Sequence, residues 1–251
     1  MASRSIERAD RIHPRALARL AGVVLLLLLL LPLHGLWRLA GRSSPWPRHF
    51  LRWAGWCAGA RVRVTGDPIR ANVLFIANHV SWLDILVLGG HTGSAFVAKA
   101  DMAPWPVIGW LSTLNNSVYV EREKRLDVHW QAQALKAALG SGQPLTLFPE
   151  GTTGDGRSLL AFRSSLVAAV TPPPPGISIQ PVAIDYGADG PEIAWVGEEE
   201  IGVNALRVMS RRGGVATRLH FLAPLDHADF ADRKAIAAHS REEIAAALGH
   251  A

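Results

Sequence analysis

The chain is 251 residues long, with a formal net charge of +5 and one cysteine, Cys57. That length suits one α/β domain with an appendage and is short for two independent enzymatic domains. A lone cysteine excludes an internal disulfide framework and a cysteine-rich zinc site, and it is compatible with a reducing, cytosol-facing compartment.

The charge divides near the start of the chain. Residues 1–70 carry twelve arginines against Glu7, Asp10 and Asp67, whereas residues 71–251 carry 14 basic and 18 acidic residues. The basic arm adjoins an apolar run, Leu20 to Leu33, that contains seven consecutive leucines, Leu25 to Leu31. Cations beside such a run suit anionic lipid head groups, each nearby Lys or Arg contributing about 1 kcal/mol. The leucines argue against nucleic acid as the partner. In length the run falls between an interfacial helix and a minimal span of about 20 residues. Arg4, Arg8, Arg11, Arg15 and Arg19 precede it and Arg38, Arg42, Arg48 and Arg52 follow it, a balance that a simple span would not show. The expectation is a hairpin or interfacial insertion with both ends on the cytoplasmic face of the inner membrane.

Trp37, Trp46, Trp53 and Trp56 cluster beside the run, as an interfacial belt requires. Core packing of a helix over 48–60 is the alternative. A cleaved signal peptide has the same basic-then-apolar form, but no clear small-x-small site follows Leu33. Residues 1–66 are read as the membrane-associated helical segment and 67–251 as the α/β domain.

After the turn signal Gly66-Asp67-Pro68, short apolar runs alternate with helical stretches. Expected strands are 73–77, 95–99, 117–120, 145–149, 177–185, 193–196 and 217–222, rich in Val, Ile and Phe and bounded by turn residues. Residues 82–89, 126–139, 157–170 and 230–248 read as helices. The alternation implies a mostly parallel or mixed sheet of about seven strands covered by helices. The prolines of 171–176 make a stiff connector.

Polar residues gather at two strand ends, where ligands bind in open α/β sheets. The first end carries Asn78-His79-Val80-Ser81-Trp82-Leu83-Asp84. Imidazole suits proton transfer near neutrality, and a carboxylate five residues on can fix its tautomer if Ser81 caps the next helix and Asp84 sits at its third position. A capping box formed by Ser81 and Asp84 explains the same residues structurally, and spacing leaves both readings open. The second end carries Glu150 and then Gly151-Thr152-Thr153-Gly154-Asp155-Gly156, a loop rich in backbone donors.

Four ordered blocks resemble the lysophospholipid and glycerolipid acyltransferase family. They are Asn78-His79 with Asp84, then Asn116-Ser117-Val118-Tyr119-Val120-Glu121-Arg122, then Phe148-Pro149-Glu150-Gly151-Thr152, then Gln180-Pro181-Val182-Ala183. The resemblance covers about residues 72–184. It implies acyl transfer from a thioester, on acyl-carrier protein or coenzyme A, to the free hydroxyl of a lysophospholipid, with no further cofactor. It implies His79 as general base, Asp84 as its orienting partner and Arg122 as the ligand of an anionic head group, a task that suits the guanidinium fork. Glu150, Gly151 and Thr152 fall in the substrate-binding block. Glu150 is expected to accept hydroxyl hydrogen bonds or to hold Arg122. Lys99 resembles a basic position after the second strand, available to head-group or carrier phosphates.

Two departures bear on the acceptor. Thr153 stands where the family often has Arg, and Asn116 where it usually has Gly. 1-Acylglycerol 3-phosphate is the first expectation, with an amino-acid-headed lysolipid such as lyso-ornithine lipid as its competitor. Pro104-Trp105-Pro106-Val107-Ile108-Gly109-Trp110 is read as lining the acyl-chain entrance or touching lipid, with core packing as the alternative. No Gly-x-Ser-x-Gly elbow occurs, in keeping with direct transfer, and the histidines show no metal-ligand spacing. A peripheral anionic-lipid-binding protein is the non-enzymatic rival. It accounts for residues 1–60 and leaves the polar blocks unexplained.

Overall fold

The computed structural model describes residues 13–120, 128–226 and 232–249. Helix α1, Pro14–Leu39, starts with a proline where its missing N–H costs nothing, and the His13 ring accepts from Arg15 N–H. Helix α2, Trp46–Ala58, ends on Gly59, whose φ of 112° only glycine adopts without strain. The two form an antiparallel hairpin. Trp37 meets Trp46 near the turn, with ring centroids 6.2 Å apart, and Arg19 reaches the Ala58 carbonyl at the feet, at 3.4 Å.

The remaining elements are β1 Ala60–Thr65, β2 Val73–Ala77, α3 Leu83–Thr92, β3 Ala95–Lys99, α4 Pro106–Leu114, β4 Val118–Val120, α5 Val128–Gly140, β5 Leu145–Leu147, α6 Ser164–Val167, β6 Ser178–Asp185, α7 Gly190–Ile193, α8 Ile201–Ser210, β7 Val215–Phe221 and α9 Arg233–Leu248. The strands form one seven-stranded sheet in the order β1-β7-β6-β2-β5-β3-β4. Only the β6–β7 pair is antiparallel; the other pairs are parallel.

Strand β2 is central because every side chain on it is apolar and excluded from solvent. Alternation sends Leu74 and Ile76 towards Leu135, Leu139 and Ile236, and Phe75 and Ala77 towards Leu83, Val87 and Phe221. Burial on both faces is what a central parallel strand requires. Helix α3 packs closely against α2 through Gly90, where a Cβ would stand 2.5 Å from the Arg52 backbone.

Several expectations need correction. Residues 193–196 are not a strand: Ile193 ends α7, and the chain then runs extended, with Trp195 N–H donating to the Val80 carbonyl. The seventh strand is β1, which pairs with β7 along Ala60↔Val215 to Thr65↔His220. The sheet therefore begins before residue 67, inside the segment read as the membrane arm. The helix expected over 157–170 is reduced to α6 and a single tight turn after it. The Asp155 carboxylate accepts from Arg157 and Ser158 N–H and holds the chain in a turn. Pro149 ends β5 early, and α4 and α8 are helices not expected from the sequence.

Candidate active site

The site is built where β2 hands over to α3. Asn78 splices this turn to β6: its side-chain amide donates to the Ile184 carbonyl at 3.0 Å and accepts from Ile184 N–H at 2.7 Å. Because Asn78 continues the hydrogen-bonding pattern beyond the last residue of β2, it fixes where the next residue leaves the sheet. That residue is His79. Glu150 Oε1 accepts from its backbone N–H at 2.8 Å, and its carbonyl accepts from Gly154 N–H at 2.7 Å.

The imidazole lies flat on the Phe148 ring, with centroids 4.1 Å apart and planes 14° from parallel. Its Nδ1 is 2.7 Å from Asp84 Oδ2. An ionised carboxylate only accepts, so Nδ1 carries the proton and Nε2 is the basic nitrogen. Asp84 is fully buried. Its Oδ2 also accepts from Val80 N–H at 2.7 Å and Ser81 N–H at 2.9 Å, and its Oδ1 accepts from the Tyr186 hydroxyl at 2.5 Å. Four donors thus compensate a charge that burial alone would penalise heavily.

The pairing and capping readings of Asp84 turn out to be compatible. Asp84 binds His79 and also closes back on Ser81 N–H, which is half of a capping box. The other half is missing, since Asp84 N–H donates to the Ser81 carbonyl and the Ser81 hydroxyl accepts weakly from Leu83 N–H, at 3.4 Å. The helix begins at Leu83, so Asp84 is its second residue rather than its third. At that position the helix dipole also favours a negative charge.

Glu150 has a backbone partner that the sequence did not point to. It is buried and holds the His79 backbone from below. Burial pushes its carboxyl up to about 7, outweighing the hydrogen bond from His79 N–H, with the nearby Asp84 charge acting in the same upward direction. Gly151 and Thr152 line the cavity above. The Thr153 hydroxyl donates to the Trp195 carbonyl, so the residue that replaces the family's arginine is spent on the loop itself.

His79 opens into a cavity of about 530 Å³. Leu27, Leu30 and Phe50 of the hairpin form one wall, and Trp105 and Ile108 form part of another, together with Lys99 and Asp101. Trp105 and Ile108 therefore line the space. Lys99 stands at the end of β3 with its side chain exposed. Arg122 lies outside the described residues. Asn116 has φ 56°, a left-handed conformation that Asn tolerates better than other non-glycine residues; this explains how it occupies a glycine position.

Sequence reasoning missed three contributors. Tyr186 comes from the far end of β6, 102 residues from its partner, and only the general need of a buried hydroxyl for a partner hints at it. The structural duty of Asn78 and the hairpin wall of the cavity are likewise tertiary facts.

The Acyltransferase family model matches residues 61–185. The lyso-ornithine lipid O-acyltransferase of Rhizobium meliloti (strain 1021) is 39% identical over 205 residues, covering 76% of this chain and 70% of that protein. The 1-acyl-sn-glycerol-3-phosphate acyltransferase of Neisseria meningitidis serogroup B is 31% identical over 179 residues, covering 70% and 69%. The crystal structure of the 1-acyl-sn-glycerophosphate acyltransferase PlsC from Thermotoga maritima superposes with a TM-score of 0.61 at 22% identity, covering 81% of this chain and 77% of that one, and so shares its fold.

Proposed function

We propose that this chain, which belongs to the lysophospholipid acyltransferase family and is an O-acyltransferase acting on lysolipids, takes an amino-acid-headed acceptor of the lyso-ornithine lipid kind. The observation that carries the reaction is the His79–Asp84 contact of 2.7 Å at the floor of a largely apolar cavity. His79 Nε2 removes the proton of the acceptor hydroxyl as that oxygen attacks the thioester carbonyl. The tetrahedral oxyanion collapses and expels the thiolate, which takes the proton back from the imidazolium. One C–O bond forms and one C–S bond breaks, with no acyl-enzyme and no cofactor beyond the acyl-carrier protein or coenzyme A that bears the acyl group. Asp84 holds the tautomer and balances the imidazolium charge.

The acceptor reading rests on the charges around the cavity. An ornithine amide-linked through its α-nitrogen keeps one carboxylate and one ammonium. Lys99 and Asp101 line the same cavity as His79 and offer one charge of each sign, and Thr153 removes a cation that a phosphate would use. The Rhizobium relative, at 39% identity, carries the lyso-ornithine name. 1-Acylglycerol 3-phosphate is the second reading, favoured by the resemblance to the Neisseria enzyme and by Arg122 as a phosphate ligand.

The hairpin is proposed to sit in the cytoplasmic leaflet. Helix α1 is long and apolar enough to cross a membrane, but the 13 residues of α2 rise only about 20 Å, short of a hydrocarbon core of about 30 Å. Both feet rest on the catalytic domain: Arg19 donates to the Met209 and Gly213 carbonyls at 3.0 and 2.6 Å, and α2 runs into β1.

The test is a panel of lysolipids offered to the purified protein with each thioester donor, the products identified by mass. Acylation of lyso-ornithine lipid well above 1-acylglycerol 3-phosphate is expected. The reverse preference removes the acceptor assignment. His79→Ala should abolish transfer in either case, and near wild-type turnover would remove the base.

A further inference from the structure

The Asp84 carboxylate has two oxygens with unlike surroundings. Oδ2 takes His79 and two backbone donors within five residues of chain, a set that the β2–α3 turn supplies by itself. Oδ1 takes a side chain from the other half of the domain, the Tyr186 hydroxyl, at 2.5 Å. Tyr186 directly follows Asp185, the last residue of β6, and the phenol ring belongs to the core that also contains Phe75 and Ile184. Tyr186 is 4% exposed, and the partner of its hydroxyl, Asp84, is fully buried. Position 186 lies just outside the span matched by the family model.

We propose that Tyr186 is a positioning residue of the acyl transfer, which acts through Asp84 by holding its second oxygen and so setting both the plane of the carboxylate and the charge it presents to His79. The geometry leaves the phenol one available job. A tyrosine buried among apolar side chains donates where an acceptor exists, and a carboxylate turned about its Cβ–Cγ bond would lose alignment with Nδ1 and with the two backbone donors together. Burial, followed by the Asp84 charge and the hydrogen bond, raises the phenol well above its ordinary range, so it stays a donor at every working pH. Among the described residues, Glu150 is a further titratable group near the pair: it holds the His79 backbone and interacts with the Asp84 charge, and Arg241 acts on it in turn.

The charge argument has a sign. With the phenol donating, part of the carboxylate's negative charge is turned away from the imidazole. Without it, the pair binds its proton more tightly, and the fraction of His79 free to act as base at a given acidic pH falls. Tyr186→Phe keeps the ring and its packing and removes only the donor. Its kcat should fall about tenfold, the size expected for a hydrogen bond to a buried charged group, while KM for both substrates changes little. The acid limb of its pH–rate profile should move to higher pH.

The chain has only two tyrosines, and this provides a second, opposed measurement. In a Tyr119→Phe background, biosynthetic replacement of tyrosine by 3-fluorotyrosine makes the single remaining phenol a stronger donor without removing it. The acid limb should then move to lower pH, opposite to the phenylalanine variant. Repeating both measurements with Glu150→Gln identifies any limb that belongs to Glu150. Opposed shifts support the inference. Absence of a shift in the fluorotyrosine protein, or shifts of the same sign in both proteins, overturns it even where Tyr186→Phe folds poorly. The inference rests on His79 being the base, and the two fail separately. Activity retained by His79→Ala removes the base, whereas an inactive His79→Ala beside silent changes at Tyr186 removes only the role of the phenol.

Discussion

The turn around Asp84 and the hairpin above it are opposite solutions to burial. Asp84 is a charge with no exposure, and each of its oxygens is met by a donor. On α1, Leu25, Leu28 and Leu29 are apolar and left 68%, 65% and 62% exposed. Among the described residues, the polar groups around Asp84 are paired within the protein, and these leucines lack a covering. The cavity is lined from both sides, by His79 of the turn and by Leu27 and Leu30 of the hairpin. Such a division suits an acceptor that arrives partly embedded in lipid: the reacting hydroxyl meets preorganised groups, while the chains need only an apolar wall.

The sharpest way to break this comparison is to unbalance the completed half. Asp84→Asn replaces an acceptor with a group that both donates and accepts, so at least one of the four donors now faces N–H, and the Nδ1 proton loses its anionic partner. We expect kcat to fall on the order of 10³-fold or more, as when the carboxylate behind a catalytic histidine is neutralised. Single-turnover assays with saturating lysolipid measure it. A loss confined to KM would show that Asp84 contributes binding and leaves the base unaffected.

The exposed half is tested by making it polar. Leu28→Ser with Leu29→Ser removes two apolar side chains worth about 1.5 kcal/mol each when buried. Partition onto anionic vesicles should weaken about a hundredfold, while the thermal midpoint of the catalytic domain holds. A fall in that midpoint with unchanged partition would place these leucines in the protein's own core.

Much of this division was legible in the residues. Strands β2 and β3 were bounded correctly because their apolar runs are short and sharply punctuated, and the leucine run identified α1 without any structure. The five-residue spacing of His79 and Asp84 allowed their contact but left a capping box equally open, and only the resemblance favoured the pair. What was not legible depends on distance in sequence. Strand β1 was hidden because Arg61 and Arg63 interrupt its apolar pattern at the sheet edge, and a basic edge strand looks like a continuation of the basic arm. Helix α4 was obscured by Pro104 and Pro106, although a proline at the first helical position starts a helix as readily as it ends one. Tyr186 and the Asn78–Ile184 splice depend on β6 lying beside β2, a neighbour relation that no local pattern encodes.

The smallest effect separates the two halves by stability rather than rate, and it falls on Glu150. The fold raises this carboxyl from its ordinary 4.5 to about 7, so the folded state binds the proton more tightly than the unfolded chain does. Its contribution to stability is therefore fully present below about pH 4.5, declines as pH rises, and is lost above about pH 7. The size of that decline is at most on the order of 3 kcal/mol, taking about 1.4 kcal/mol for each unit of displacement. Glu150→Gln keeps an oxygen to accept from His79 N–H and removes the charge. Relative to the wild type it should be no more stable at pH 4, and more stable by about 1–3 kcal/mol at pH 8, as read by denaturant titration at both pH values. Activity is the second readout. Because Glu150 meets the backbone of His79 and not its ring, the variant should keep the acid limb that belongs to His79 and Asp84, and lose any limb near pH 7 that reports Glu150 itself. A variant destabilised at pH 8 and unchanged at pH 4 would instead mean that the carboxyl is ionised and needed as an anion.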